Sequence, residues 1–258
     1  MELNIQGDMI QGARDYQEDY YEICSEAVKD SDSCLVVLCD GMGGHSGGAI
    51  ASRTVATTFI NEFIASQELS PKAVLERSLE VAHCAIRAEI SENSAPSDMG
   101  TTLVAAYVTK NDLHWLSVGD SHLYLFREGK VQKLNDDHSM AAVLDELVEI
   151  GRLDEDEAMS DPQRNALRSC VSEDDISLVD IQSKLDYLKP KDRLILASDG
   201  LDTLNIHDIE SIVAKNKRKP SKDVASKLLS AVEDVQKSNQ DNSSVVVISI
   251  KSKSWFFS

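Results

Sequence analysis

The chain has 258 residues, and its 26 lysines and arginines against 44 aspartates and glutamates leave a formal net charge of −18. With 42% hydrophobic and 27% charged residues, the composition is that of a globular protein with a substantial core, which excludes disorder as the whole answer. The acidity argues against nucleic-acid or anionic-membrane binding, since both rest on clustered Lys and Arg, and the basic run Lys215-Asn216-Lys217-Arg218-Lys219 reads as a solvated helix end.

The five cysteines, Cys24, Cys34, Cys39, Cys84 and Cys170, include no C-x-x-C pair, so reduced thiols are expected and neither a disulfide framework nor a zinc site is indicated. The first residues lack a basic segment followed by a long apolar one, and no stretch approaches about 18 apolar residues. A soluble, cytoplasmic protein is the expectation. The apolar tail Trp255-Phe256-Phe257 is expected to pack under the last strand.

In chain order, the apolar run 34–39 predicts a strand buried on both faces, ending at Asp40-Gly41. Apolar pairs from Ile50 to Ile64 predict a helix, and Ser70-Pro71 opens a second whose stripe is Val74, Leu75, Leu79, Ala82, Ile86 and Ile90. Segments 101–109, 113–118, 122–127 and 131–134 predict antiparallel hairpins. Residues 138–175, helical over 141–150 and then acidic and turn-rich, read as an insertion on the sheet. A strand at 193–198 ends in Asp199-Gly200, helices follow at roughly 206–216 and 221–237, the latter capped by Ser221, and 243–250 is the final strand. One compact domain over 1–258, with two sheets and two helix pairs, is the resulting expectation.

Acidic residues recur at the strand ends: Glu18-Asp19, Asp40, Asp199 and Asp241. One Asp-Gly alone is ordinary turn chemistry. Several carboxylates with one arginine, Arg14, and no nearby lysine are instead what a site for hard divalent cations requires. No cysteine has an arginine six positions on, which excludes thiol-dependent phosphate cleavage, and the glycine-rich segment 41–48 lacks the Lys-Ser/Thr ending of a nucleotide loop. Its glycines suit close backbone approach to a ligand or metal.

Seven ordered motifs then resemble the metal-dependent protein serine/threonine phosphatases of the protein phosphatase 2C (PPM) type, compact bacterial members above all. They are Gly-Ala-Arg-Asp-Tyr-Gln-Glu-Asp (12–19), Asp-Gly-Met-Gly-Gly-His (40–45), Met-Gly-Thr-Thr-Leu (99–103), Gly-Asp-Ser-His-Leu-Tyr (119–124), Asp-Asp-His-Ser (136–139), Ala-Ser-Asp-Gly-Leu (197–201) and Asp-Asn-Ser-Ser (241–244). The resemblance implies an α+β fold, an αββα sandwich of two antiparallel sheets flanked by helix pairs, with two Mn²⁺ or Mg²⁺ ions at one end of the sheets. By the same resemblance Asp40 bridges both ions, Asp199 and Asp241 hold one, and Glu18 with the Gly41 carbonyl holds the other. Asp19 holds a metal-bound water, Arg14 grips phosphate, and 138–175 forms a flap beside the site. The implied reaction is hydrolysis of phosphoserine and phosphothreonine in proteins by a water bridging the ions, about 3.5–4 Å apart. A phosphoprotein substrate, an antagonist Ser/Thr kinase and a monomeric state complete the expectation.

Three departures bear on this. Met42 stands where many members have a candidate leaving-group histidine, with His45 a weak substitute; His122 replaces the usual arginine after Gly-Asp-Ser; and Thr203 stands four after Asp199, where an Asp is common. A third ion near Asp120 and Asp199 is therefore expected to be weak, unless Asp202 compensates. The rival readings are a pseudophosphatase scaffold binding a phosphoprotein or kinase, which the intact acidic set disfavours, and a dinuclear hydrolase of small phosphoesters.

Overall fold

The computed structural model describes residues 2–25, 33–43, 47–68, 70–93 and 96–252. The expected packing of Trp255-Phe256-Phe257 and any role of His45 lie outside the described residues. In chain order the elements are β1 (Glu2–Ile10), β2 (Tyr20–Cys24), β3 (Ser33–Cys39), β4 (Gly41–Met42), α1 (Gly47–Ala65), α2 (Pro71–Asn93), β5 (Gly100–Thr101), β6 (Leu103–Thr109), β7 (Asp112–Val118) and β8 (His122–Arg127). Then come β9 (Lys130–Lys133), α3 (Met140–Glu149), α4 (Glu155–Ser160), β10 (Asp180–Lys184), β11 (Arg193–Ala197), a 3₁₀ turn (Asp199–Thr203), α5 (Ile206–Lys215), α6 (Ser221–Asp234) and β12 (Ser243–Lys251).

The first sheet has the order β1-β12-β11-β8-β9, the second β10-β7-β6-β3-β2, and β4 and β5 form a separate small pair. All of these pairings are antiparallel. Side-chain alternation in β3 explains its continuous apolar sequence: Leu35, Val37 and Cys39 join the core under α1 and α2, while Cys34, Val36 and Leu38 join the core between the sheets. In β12, Val245 and Val247 face α5 and α6, whereas Val246, Ile248 and Ile250 meet the other sheet. Each such fully buried Val, Leu or Ile contributes about 1.5–3 kcal/mol over its exposed state. The result is the expected αββα sandwich.

The differences have local causes. Three strands, β1, β2 and β10, were not expected: β1 is a half-buried edge strand, and β10, sequence DIQSK, has one apolar residue and forms by pairing with β7, so tertiary context overrides propensity. The strand expected over 101–109 breaks at Thr102, whose hydroxyl accepts from the Asp40 backbone N–H (3.0 Å). Asp154 caps α4 by accepting from the Asp156 N–H, so the acidic run is a helix's first turn, where carboxylates suit the dipole. Ser70 accepts from the Ala73 N–H (3.1 Å) as expected of a cap, but Ser221 does not cap α6. It is the first helical residue, and its hydroxyl donates to the Asn4 carbonyl (2.6 Å), tying α6 to β1.

Candidate active site

Strand direction gathers the acids. Tyr20 pairs with Cys39, so Glu18-Asp19 before β2 and Asp40 after β3 share one end of the second sheet. Ala197 pairs with both Val245 and His122, which brings Asp199, Asp241 and Asp120 to one end of the first sheet. That the two ends coincide follows from a hydrogen bond between them: Ser198 donates to Asp19 Oδ2 at 2.7 Å. A cleft of about 290 Å³ opens there, lined by Arg14, Asp120, Asp137, Asp199, Asp202, Thr203, Lys237 and Asp241 among others.

Polar contacts hold each arm. The Asp40 carbonyl accepts from Thr101 Oγ1 and the Thr102 N–H, both at 2.8 Å. Asn242 Oδ1 accepts from the Glu18 N–H (2.8 Å), while its amide donates to the Gln11 (2.7 Å) and Tyr16 (3.0 Å) carbonyls, fixing the loop that carries Arg14. Gln240 donates to the Gly200 carbonyl (3.0 Å) and accepts from Thr203 Oγ1 (2.6 Å), joining the turn of Asp199 to Asp241. Glycine permits the closest approaches. A Cβ on Gly48 would stand 2.5 Å from Glu18 Oε1, and one on Gly200 would stand 2.0 Å from the Asn242 carbonyl oxygen. Gly41 is buried between Glu18 and Gly48.

The electrostatics are those of crowded acids. Burial, followed by the charges of Asp19, Asp199, Asp120 and Asp241, holds Asp40 well above the usual carboxylate range. Burial also lifts Asp19 to about 7, with Asp199 and Asp241 adding to it and the Ser198 hydroxyl opposing. Asp120 rises to about 7 through burial and the nearby Asp199 and Asp137, and Asp199 is raised by burial and Asp241. Asp19 Oδ1 is buried and has no hydrogen-bond partner among the described residues. Oxygen donors that repel one another, with an unsatisfied buried carboxylate atom among them, fit hard divalent cations. Among the described residues no three Asp, Glu, His or Cys side chains stand together as a ready-made single-ion cage.

Arg14 lies at the cleft as expected, and its guanidinium pairs with Asp241. The neighbourhood also contains Lys237, contrary to the expectation of no nearby lysine; it lies in the segment after α6, four residues before Asp241. The replacement His122 donates from Nε2 to Asp202 Oδ1 at 2.8 Å. Asn242, Gln240, Ser198 and Thr102 were missed as supporting groups. The only sequence signal for Asn242 was its place in the Asp-Asn motif, and nothing local marks Gln240. From the insertion, Ser139, Ala141 and Asn165 line the cleft, and Arg164 grips Asp145 on α3 through two bonds of 2.8 and 3.1 Å.

The chain is 30% identical over 207 residues to protein phosphatase PhpP of Streptococcus pneumoniae, covering 79% of this chain and 80% of that one. The crystal structure of the Mycobacterium tuberculosis serine/threonine phosphatase PstP/Ppp superposes with a TM-score of 0.82 at 25% identity, covering 98% of this chain and all of the other. The fold is also shared with the catalytic domain of a serine/threonine protein phosphatase PstP solved with two manganese ions (TM-score 0.77, 24% identity, 97% of this chain and 99% of that one). The family model for protein phosphatase 2C matches residues 7–241, and the chain therefore belongs to the protein phosphatase 2C family.

Proposed function

We propose that this protein is a metal-dependent hydrolase of phosphoserine and phosphothreonine in proteins, with Asp40, Asp199, Asp241, Glu18 and the Gly41 carbonyl holding two Mn²⁺ or Mg²⁺ ions. The observation that carries the reading is that Asp120, Asp199 and Asp241 line one cleft beside Arg14, while the buried Asp19 and Asp40 of the other sheet lie close enough to feel the charges of Asp199 and Asp241. When bound, such ions supply Lewis-acid polarisation and an activated water. The chain's own residues do the rest. This reading makes Asp40 the carboxylate that serves both ions, since it adjoins Gly41 in the chain and lies close enough to Asp199 and Asp241 to feel their charges. Asp19, anchored by Ser198 and with Oδ1 left over, accepts a proton from a water in the site and orients it. Arg14, about half exposed, exchanges its Asp241 contact for phosphate, whose oxygens its planar fork meets in pairs.

The domain is single, and 138–175 acts as a flap whose Ser139, Ala141 and Asn165 border the substrate. A third ion at Asp120 and Asp199 is weak, because Thr203 is turned to Gln240 and Asp202 is engaged by His122. The reading further takes the protein as a cytoplasmic monomer opposing a Ser/Thr kinase; among the described residues no helix is long and apolar enough to cross a membrane. A phosphopeptide panel assayed beside p-nitrophenyl phosphate, with and without Mn²⁺, tests it. Metal-dependent release of phosphate from phosphoserine and phosphothreonine peptides is expected. Binding of those peptides without turnover would instead favour the scaffold.

A further inference from the structure

At the opposite end of β8 and β11 from the catalytic cleft, about 15–20 Å away by strand rise, lies a second cavity of about 810 Å³. It is bordered by the β8–β9 turn, the loop before β11 and the C-terminal end of α5, and its charged lining is Arg127, Lys189, Lys191, Lys217 and Arg218 against Glu128 and Asp192. Five cations to two carboxylates gives +3 locally on a chain of net charge −18. The basic run that the sequence suggested was a mere solvated helix end contributes two of the five.

The pairing inside the cavity sharpens the imbalance. Asp192 is consumed by Arg127, through bonds of 3.0 and 2.6 Å, and by the Lys189 N–H at 2.7 Å. Lys189, Lys191, Lys217 and Arg218 have no carboxylate partner among the described residues. Carbonyls of the segment just after α5, which would repel an anion, are covered: Arg193 Nη2 donates to those of Asn216 (3.3 Å), Lys217 (3.0 Å) and Lys219 (2.7 Å). Lys191 also has φ +82°, where glycine would be unstrained, and its N–H is pinned to the Ile250 carbonyl at 2.8 Å. A lysine held at a costly backbone position in a cavity of unpaired cations concentrates positive potential there.

We propose that this cavity is an anion site for a compact polyphosphate, one whose contiguous phosphates are met by Lys189, Lys191, Lys217 and Arg218 together. A short chain of phosphates suits four exposed cations around one open depression, because each phosphate group carries charge that a single lysine neutralises in part. Inorganic polyphosphate and a nucleoside triphosphate present this same chemistry.

The test is a titration of tripolyphosphate into the Mg²⁺-loaded protein at constant free Mg²⁺, following the backbone amide resonances of residues 189–192 and 214–218 beside those of the cleft. Saturable shifts at the cavity are expected, weakened at least about tenfold in Lys189→Ala/Lys191→Gly and in Lys217→Ala/Arg218→Ala, and weakened by added salt. Lys191→Gly relieves the backbone strain, so loss of fold does not mimic loss of binding. The Arg14→Ala variant should bind at the cavity as the wild type does. ATP in a parallel titration separates the sources: tighter binding than tripolyphosphate points to a nucleotide, weaker binding to the inorganic chain. Shifts confined to the catalytic cleft, affinity indifferent to the four cations, or hexaglutamate binding as well as tripolyphosphate would each overturn the proposal.

Discussion

Replacing Asp19 with Asn should stabilise the metal-free protein at alkaline pH while impairing its metal-dependent activity. An unfolded aspartate ionises near 3.8, whereas in the fold Asp19 stays protonated until about 7. Between those values the unfolded chain binds fewer protons than the folded one, so stability falls as pH rises and stays low above the folded value. A carboxyl carried from 3.8 to about 7 withholds at most about 4 kcal/mol from the fold once ionised. Asp19 is only 5% exposed, so solvent does little to screen that cost. The Asp19→Asn side chain keeps an acceptor for Ser198 and carries no charge. At about 2–4 °C per kcal/mol for a domain of this size, the ceiling is a gain on the order of 10 °C in Tm. The assay is thermal unfolding in EDTA at about pH 5 and pH 8, with and without the substitution, then repeated in Mn²⁺. Wild type should melt lower at the higher pH, the Asp19→Asn protein should lose that difference in part, and Mn²⁺ should erase it by favouring the ionised carboxylate. A wild-type Tm that is flat or rising between the two pH values in EDTA, or an Asp19→Asn protein no more stable at pH 8, would refute the reasoning.

Asp40→Asn should abolish Mn²⁺-dependent turnover, since one lost charge between two dications weakens both sites; more than about a tenth of wild-type kcat, roughly 1.4 kcal/mol of barrier, would exclude a bridging role. Arg14→Ala should raise KM and lower kcat, with Arg14→Lys restoring only part because the fork is lost. Removing Arg14 also frees Asp241 from a competing cation, so calorimetry should find Mn²⁺ bound more tightly in Arg14→Ala, and unchanged kinetics and affinity together would return this residue to the surface. For the third ion, Thr203→Asp should lower the Mn²⁺ concentration at half-activation or add a tighter binding event, whereas Asp202→Ala should change little; loss of a tight wild-type site on removing Asp202 would reverse the assignment.

The sandwich and the acidic set were legible because their signals are local. Strands buried on both faces, such as β3 and β12, carry continuous apolar runs at their centres, and the acids lie just beyond the ends of those strands. Strand β10 escaped notice because its order comes from β7, and Ser221 was misread because a serine before a helix looks like a cap even when its hydroxyl serves β1. The bracing roles of Gln240 and Asn242 were hidden for a related reason: they act on loops 40 and 231 residues away, which no spacing rule encodes. The motifs named the arms of the site, while the groups that brace those arms appeared only in three dimensions.

The bond from Ser198 to Asp19 joins one sheet to the other at the rim of the cleft. Acids contributed by separate layers make the site a gauge of how those layers lie. Any ion shared by Asp40 and Asp199 would act as a rivet across the seam, and the apolar contacts of Leu38 and Leu196 in the same seam would set its span. Trimming such a residue, which no substrate reaches, should therefore loosen the grip on metal before it disturbs the helices outside.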